Sequence, residues 1–389
     1  MANALAVPAP AKQNGAGQQA APQVLIPFMR GATPHAEPFY DTTFTLSASQ
    51  QNLGPVDISA YGYARAVWVQ VDIATTGNGA TVVAGEDSPW STFAELAVND
   101  VNGAPLFGPH SGYECYLHHK YGGFRGQSDP KLMPPTSFVA LTAGAGATVP
   151  SGKFAFRINL ERSSRDGLGA LGNMNAAQSY KVRGTVNNLA GNWTTPPTGA
   201  VTTMRIRMTL EAYSQPNATD AAGRPQMTAP PGNQTTGYSS RFQPPTVSGA
   251  NTIKHTRVGN LIRNLIYVNR RSGTTRSTGE TDLAGLQIQW YVDSRLLTNK
   301  SIELIRENMA DAYSLTNAAA EAAGGIDNGV FVLSDFIVDL DGKAGYEMRD
   351  GWLQTTQATR LEITLTLPNA GVLTVMTDDV APRGNVYIS

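Results

Sequence analysis

The pattern that most constrains this chain is a programme of alternating strands that runs through its first half and again through its second. In the first half, residues 65–73, 93–99, 154–160 and 204–211 read as strands, with a helix at 112–121 after the second of them. The same order returns at 260–269, 286–293, 330–340, 360–367 and 372–377, with a helix expected over 300–322. Val67, Val69, Val71 and Ile73 alternate with Trp68, Gln70 and Asp72, the period-2 signature of a strand with one buried face. Met204, Ile206, Met208 and Leu210 repeat it against Arg205 and Arg207. A one-residue slip would bury both arginines, so the register is strongly set. A β-rich unit of about 170 residues occurring twice predicts two sandwiches in tandem.

Local signals place the remaining elements. Ser111-Gly112-Tyr113-Glu114 reads as a capping box, and Gly122-Gly123 stops that helix. Ile302, Ile305, Met309 and Tyr313 fall on one stripe of the second helix, which Gly324-Gly325 ends. Both helices are expected to be amphipathic covers on the open end of a sandwich. Pro368-Asn369-Ala370-Gly371 turns the chain between two alternating runs, which reads as a closing hairpin. Residues 1–38 read as a flexible arm. Up to Gln23 it is mostly Ala, Pro, Gln, Asn and Gly with Lys12 as its one charge, too little apolar area to offset the entropy of ordering. The first sandwich is read over 39–214 and the second over 251–389. Between them 215–250 reads as a linker, because Pro216, Pro225, Pro230, Pro231, Pro244 and Pro245 argue against a central strand.

Charge narrows the function. Lys and Arg total 29 against 30 Asp and Glu, and charged residues make up only 15% of the chain. Phosphate contacts need a basic excess, so nothing advertises a nucleic-acid binder. A surface of Thr, Ser, Asn and Gln is cheaper to desolvate than a charged one and suits extensive packing against neighbours. The near-neutral arm argues for docking onto protein or a membrane surface. Cys115 is the single cysteine, so no intrachain disulfide forms. No secretory leader and no apolar run of about 18–20 residues is read.

Chemistry-bearing clusters are sparse. Paired β-barrels raise the possibility of a metalloenzyme, which needs converging histidines and a carboxylate. Of His35, His110, His118, His119 and His255, only His118 and His119 are neighbours, and they point about 100° apart on a helix. Cys115 lies three residues before His118, yet a small helix cysteine reads as a core residue before a nucleophile. Asp335, Asp339 and Asp341 lack EF-hand spacing. Arg270, Arg271 and Arg276 form the one concentrated basic spot, either a solvated connection or a contact for an acidic neighbour or anionic lipid. No catalytic, cofactor or metal residue is therefore assigned.

Taken in order, these features resemble the double jelly-roll major capsid proteins of tailless, internal-membrane bacteriophages of the tectivirus type. The resemblance spans nearly the whole chain. It rests on the neutral Gln/Ala-rich N-terminal segment, the strand pair, the Ser111-Gly112-Tyr113 helix start, the Ala/Gly-rich turn at 143–147, the mid-chain linker and the second copy with a longer helix. It implies an all-β fold of two tandem eight-stranded jelly rolls, each with a short helical insertion. It also implies homotrimers that act as pseudo-hexagonal tiles, contacting neighbouring trimers and vertex (penton) and minor capsid proteins in a virion shell assembled in the host cytoplasm. The N-terminal arm would face the inner membrane. Two alternatives stand beside it: a minor or vertex capsid protein, and a tandem jelly-roll carbohydrate-binding protein or hydrolase. The latter would use Trp90, Trp193 and Trp352 as exposed platforms.

Overall fold

Strands dominate because apolar side chains recur at every second position along segments too rich in β-branched and aromatic residues to coil. The computed structural model describes residues 25–76, 81–122, 137–139, 151–198, 201–231, 237–272, 275–313, 327–333 and 351–381. The first sandwich contains β1 (Pro34–Thr45), β2 (Gln51–Asp57), β3 (Tyr63–Thr75), β4 (Phe93–Asn99) and β5 (Pro105–His110). Helix α1 (Gly112–Tyr121) follows, and then β6 (Ser151–Asn159), β7 (Lys181–Val186) and β8 (Thr202–Tyr213). The second contains β9 (Gly237–Phe242), β10 (Gly249–Lys254), β11 (Leu261–Arg271), α2 (Arg276–Leu283), β12 (Gln287–Val292) and β13 (Arg295–Ser301). It is completed by α3 (Ile302–Tyr313), β14 (Val330–Leu333), β15 (Leu361–Leu367) and β16 (Gly371–Val380).

Strand order makes each half a jelly roll. The first pairs β1-β8-β3-β6 in one sheet and β2-β7-β4-β5 in the other. The second pairs β9-β16-β11-β14 and β10-β15-β12-β13, the same order strand for strand. Even the irregularities match. A bulge at Arg65 interrupts the β3–β8 ladder between Ala66↔Glu211 and Ala64↔Ala212. A bulge at Arg263 interrupts β11–β16 between Asn264↔Asp378 and Ile262↔Asp379. Bulges bend a strand at a defined place, so this pair aligns the two rolls residue by residue.

The alternation read from the sequence is the core. Val67, Val69, Val71, Ile73, Met204, Ile206, Met208 and Leu210 are buried, and so are Ile288, Trp290, Leu361, Ile363, Leu365 and Leu367. One contiguous apolar cluster continues through both sandwiches. The capping box at Ser111 forms as expected, with Gly122 at the helix end. The stripe Ile302, Ile305, Met309 and Tyr313 is buried.

Several expectations change. The stretch 215–250 carries β9, paired between β16 and β5, because all six prolines flank the Gly237–Phe242 segment and none lies within it. Residues 25–38 are not a free arm: Phe28 is buried in edge contacts with Tyr63 and Tyr213, and β1 begins at Pro34. Runs 361–367 and 371–380 do not form a hairpin, since β15 and β16 belong to different sheets. The described part of the second helix ends at Tyr313. The expected turn at 143–147 and the aspartates at 335, 339 and 341 lie outside the described residues.

Helix α1 departs most from expectation. All ten of its residues are buried, so it has no solvated face. The face expected to meet water meets the second sandwich instead.

Candidate functional site

Three polar clusters and one apolar patch join the sandwiches along the seam between α1, β9 and the α2 corner. The first cluster starts from Phe107 and His110 at the end of β5. His110 Nε2 and His118 Nε2 each lie 3.0 Å from Ser239 Oγ on β9, and His118 Nδ1 lies 3.3 Å from Asp378 Oδ2 on β16. Burial, with His118 beside it, pushes His110 down to about 4, so its ring is neutral at neutral pH. Burial raises Asp378, but His118, Arg162 and Arg263 more than offset it and hold the carboxyl below its ordinary range. Glu114, which caps α1 through the Ser111 N–H at 2.8 Å, also accepts from Arg241 of β9 at 3.1 Å.

The second cluster holds the end of α1. Lys120 pairs with Asp327, and Asn264 of β11 donates to the Tyr121 carbonyl at 2.9 Å. Tyr121 packs edge-on against Tyr313 of α3. Gly112, at the other end, admits no side chain, because a Cβ there would strike the Trp90 carbonyl oxygen.

The third cluster is the basic spot. Arg276 Nε donates to Asp87 Oδ1 at 2.6 Å, and Arg270 Nη2 donates to Asp87 Oδ2 at 2.7 Å. Arg276 also donates to the carbonyls of Glu86 (2.9 Å) and Asn328 (3.1 Å), and its guanidinium lies 4.2 Å over the Tyr113 ring. The backbone N–H groups of Arg276 and Ser277 donate to the Glu86 carboxylate, each at 2.6 Å. Burial alone would lower Arg276, but Tyr113, Asp87 and Glu86 hold the guanidinium charged, above its ordinary value. Arg271 turns back to Asp282 on α2. The loop is therefore not a solvated connection. Its acidic neighbour is the first sandwich of the same chain. An apolar patch of Leu168 against Leu261, Trp352 and Val380 adds to the join.

Among the described residues, the chemical candidates are scattered and each is held by its own structural contacts. Cys115 is buried, and burial pushes its thiol well above the ordinary range, so it holds its proton and is no nucleophile. His118 faces Ser239 and Asp378, and His110, read as isolated, lies 4.5 Å from His118 between ring centres. His255 is buried against Tyr267 Oη at 3.2 Å and is pushed down to about 4 by burial. His35 stacks on Tyr61. Among the described residues, no three His, Cys, Asp or Glu side chains are grouped to hold a metal ion. Trp90, Trp193 and Trp352 are all buried, which removes the aromatic platforms that the carbohydrate-binding alternative requires. No helix among the described residues is long and apolar enough to cross a membrane.

Comparison with solved structures agrees with the strand order. The chain is similar to a chain from the atomic structure of Sulfolobus Turreted Icosahedral Virus, at 11% identity and a TM-score of 0.58, over 89% of this chain and 90% of that one. It is similar to the major capsid protein P2 from bacteriophage PM2, at 7% identity and 0.52, over 91% and 100%. A third likeness is to a chain of the PBCV-1 virus capsid, at 11% identity and 0.53, over 90% and 93%. No family model and no curated protein matches the sequence. The fold is the double jelly roll of these capsid chains, kept while nearly every side chain differs.

Proposed function

We propose that this chain is a major capsid protein that associates as a homotrimer and tiles an icosahedral virion shell around an internal membrane. The observation that carries this reading is the side-by-side joining of two jelly rolls with identical strand order, through a shared sheet and a shared apolar cluster. Two equivalent units per chain give three copies a nearly sixfold outline, the shape that closes a lattice of tiles. A buried network of ion pairs across the seam keeps the two units in one fixed relation, which a tile requires and a pair of tethered binding modules does not. The division into an arm, two rolls and a connection over 215–250 is part of the same proposal, with the stretch from Leu25 and the start of β1 at Pro34 moved from the arm of 1–38 into the first roll, and β9 and the start of β10 moved from the connection into the second roll. Partners on this reading are neighbouring trimers, vertex (penton) and minor capsid proteins, and the inner membrane through the arm. The role is architectural and uses no catalytic group and no cofactor.

The test is the mass in solution. Size-exclusion chromatography with light scattering should give about 124 kDa, three copies of 41.3 kDa, that persists on dilution. A stable mass of one chain would overturn the reading.

A further inference from the structure

Each sheet of a jelly roll has two edges, and an uncovered edge invites another strand. Within this chain two edges cover each other. β5 ends one sheet of the first roll and β9 ends one sheet of the second, and they meet in parallel through Phe107↔Ser239, fusing the two sheets into one. The counterparts by strand order are β13 in the second roll and β1 in the first. β13 ends the sheet β10-β15-β12-β13, and β1 ends its own sheet beside β8.

We propose that β13 of one copy packs against β1 of the next, repeating between chains the junction that β5 and β9 make within one. This rests on the trimer reading and names its interface. Six rolls in a ring then meet at six like junctions, three inside chains and three between them, and a head-to-tail contact of this kind closes into a ring with no unpaired β1 or β13.

Burial supports the assignment. In β5, Leu106 is 4% exposed and Phe107 2%. The β4–β5 register skips Leu106 between Asn99↔Pro105 and Val98↔Phe107, and the β12–β13 register skips Leu297 between Tyr291↔Leu296 and Trp290↔Thr298. Leu297 therefore stands where Leu106 stands, yet it is 42% exposed, and Leu296 beside it is 47% exposed. Adjacent exposed leucines on an edge strand are the mark of a covered surface in an assembly. β1 is exposed or half-exposed along its whole length. Charge agrees at one position: Arg295 and Lys300 flank the leucines and β1 carries Glu37, whereas Asp41 is already paired with Arg205 of its own chain. Both pairs of edges are interrupted by proline on one side, Pro105 and Pro109 in β5 and Pro34 and Pro38 in β1, which limits each junction to a short bridge instead of an open-ended ladder.

The aligned bulges fix the register. Ser239 pairs with Asp378 and Ala36 with Glu211, and those partners are equivalent, so Ala36 stands where Ser239 stands. Thr298 stands where Phe107 stands. Ala36 of one copy should face Thr298 of the next.

The double variant Ala36→Cys/Thr298→Cys, oxidised with glutathione disulfide, should give covalent dimers and trimers on a non-reducing gel, and neither single variant should give the trimer band, because directly paired strand positions lie within disulfide reach. Leu297→Glu, which alters a side chain already exposed in one chain, should keep the circular dichroism spectrum and lower the scattering mass to that of one chain. If the wild type is a trimer but the double variant does not cross-link, or Leu297→Glu stays trimeric, this junction is wrong while the trimer stands. A wild type that is monomeric removes the trimer reading itself and the junction with it.

Discussion

Replacing Asp87 with asparagine should destabilise this chain more than replacing the buried arginine it binds. Asp87 is the shared acceptor of Arg270 and Arg276 across the seam, and the Arg276 side chain is fully buried. Removing one member of a buried pair costs about 3–5 kcal/mol, because the other charge is left without compensation. Asparagine keeps one accepting oxygen and Glu86 remains close, so Asp87→Asn should fall near ~3 kcal/mol. Arg276→Met removes the charge, keeps the bulk of the stem and leaves Asp87 bonded to Arg270. What it loses is the donors to the Glu86 and Asn328 carbonyls and the cation over Tyr113, about 2 kcal/mol for buried groups left unsatisfied. In the double variant the buried charge and its counter-charge disappear together. Its cost should therefore fall short of the sum of the single costs by ~1–3 kcal/mol. Urea unfolding followed by fluorescence and circular dichroism measures all four proteins, at one protein concentration because association adds to apparent stability. Single costs below about 1 kcal/mol that add to within ~0.5 kcal/mol would show that these ion pairs do not hold the seam.

Two further outcomes follow from buried titrating groups. His110 and His255 lie at about 4 in the folded chain, below their ordinary 6.5, so between those values the unfolded chain binds protons that the native chain refuses. Stability should be full above about pH 6.5 and fall by up to ~3 kcal/mol per histidine as pH drops toward 4, and a urea midpoint that does not change between pH 7 and pH 4.5 would contradict their buried, neutral state. The Cys115 thiol, buried and raised by burial, should ignore a thiol-reactive dye in the native protein and react at once in denaturant, whereas fast native labelling would place it at an accessible surface.

The strands that were legible in the sequence are those whose two faces differ. β3, β8 and β15 have one face in the core and one turned to polar surroundings, so their alternation states both their structure and their register. β5, β7, β9 and β13 gave no such signal. Pro105 and Pro109 break the pattern of β5, and β7 is six residues long with Val182 and Val186 as its only apolar side chains. β9 is proline-free for only six residues between proline-dense flanks, and β13 exposes the leucines that alternation would bury. β5, β9 and β13 are edge strands of their own rolls, where the neighbour that shapes the strand is far away in sequence or outside the roll.

The seam was illegible for the same reason, carried further. Helix α1 contains Glu114, His118, His119 and Lys120, which in isolation describe a solvated surface. Glu114, His118 and Lys120 find their partners in Arg241, Ser239, Asp378 and Asp327, more than a hundred residues away, and His119 packs edge-on against Trp68 of β3, so no periodicity within the helix reports them. A signal was nevertheless available in the comparison of the two copies. The helix of the second roll has an apolar stripe and a polar face, whereas the equivalent helix of the first has polar residues all round behind a full capping box. Equivalent elements that differ in this way do not have equivalent surroundings: one borders another roll inside the chain, and the other, on the trimer reading proposed above, borders the next copy. The uncovered Leu296 and Leu297 beside that second helix are the same asymmetry seen from the strand. On that reading, a duplicated fold marks its outer interface by the places where its two copies disagree.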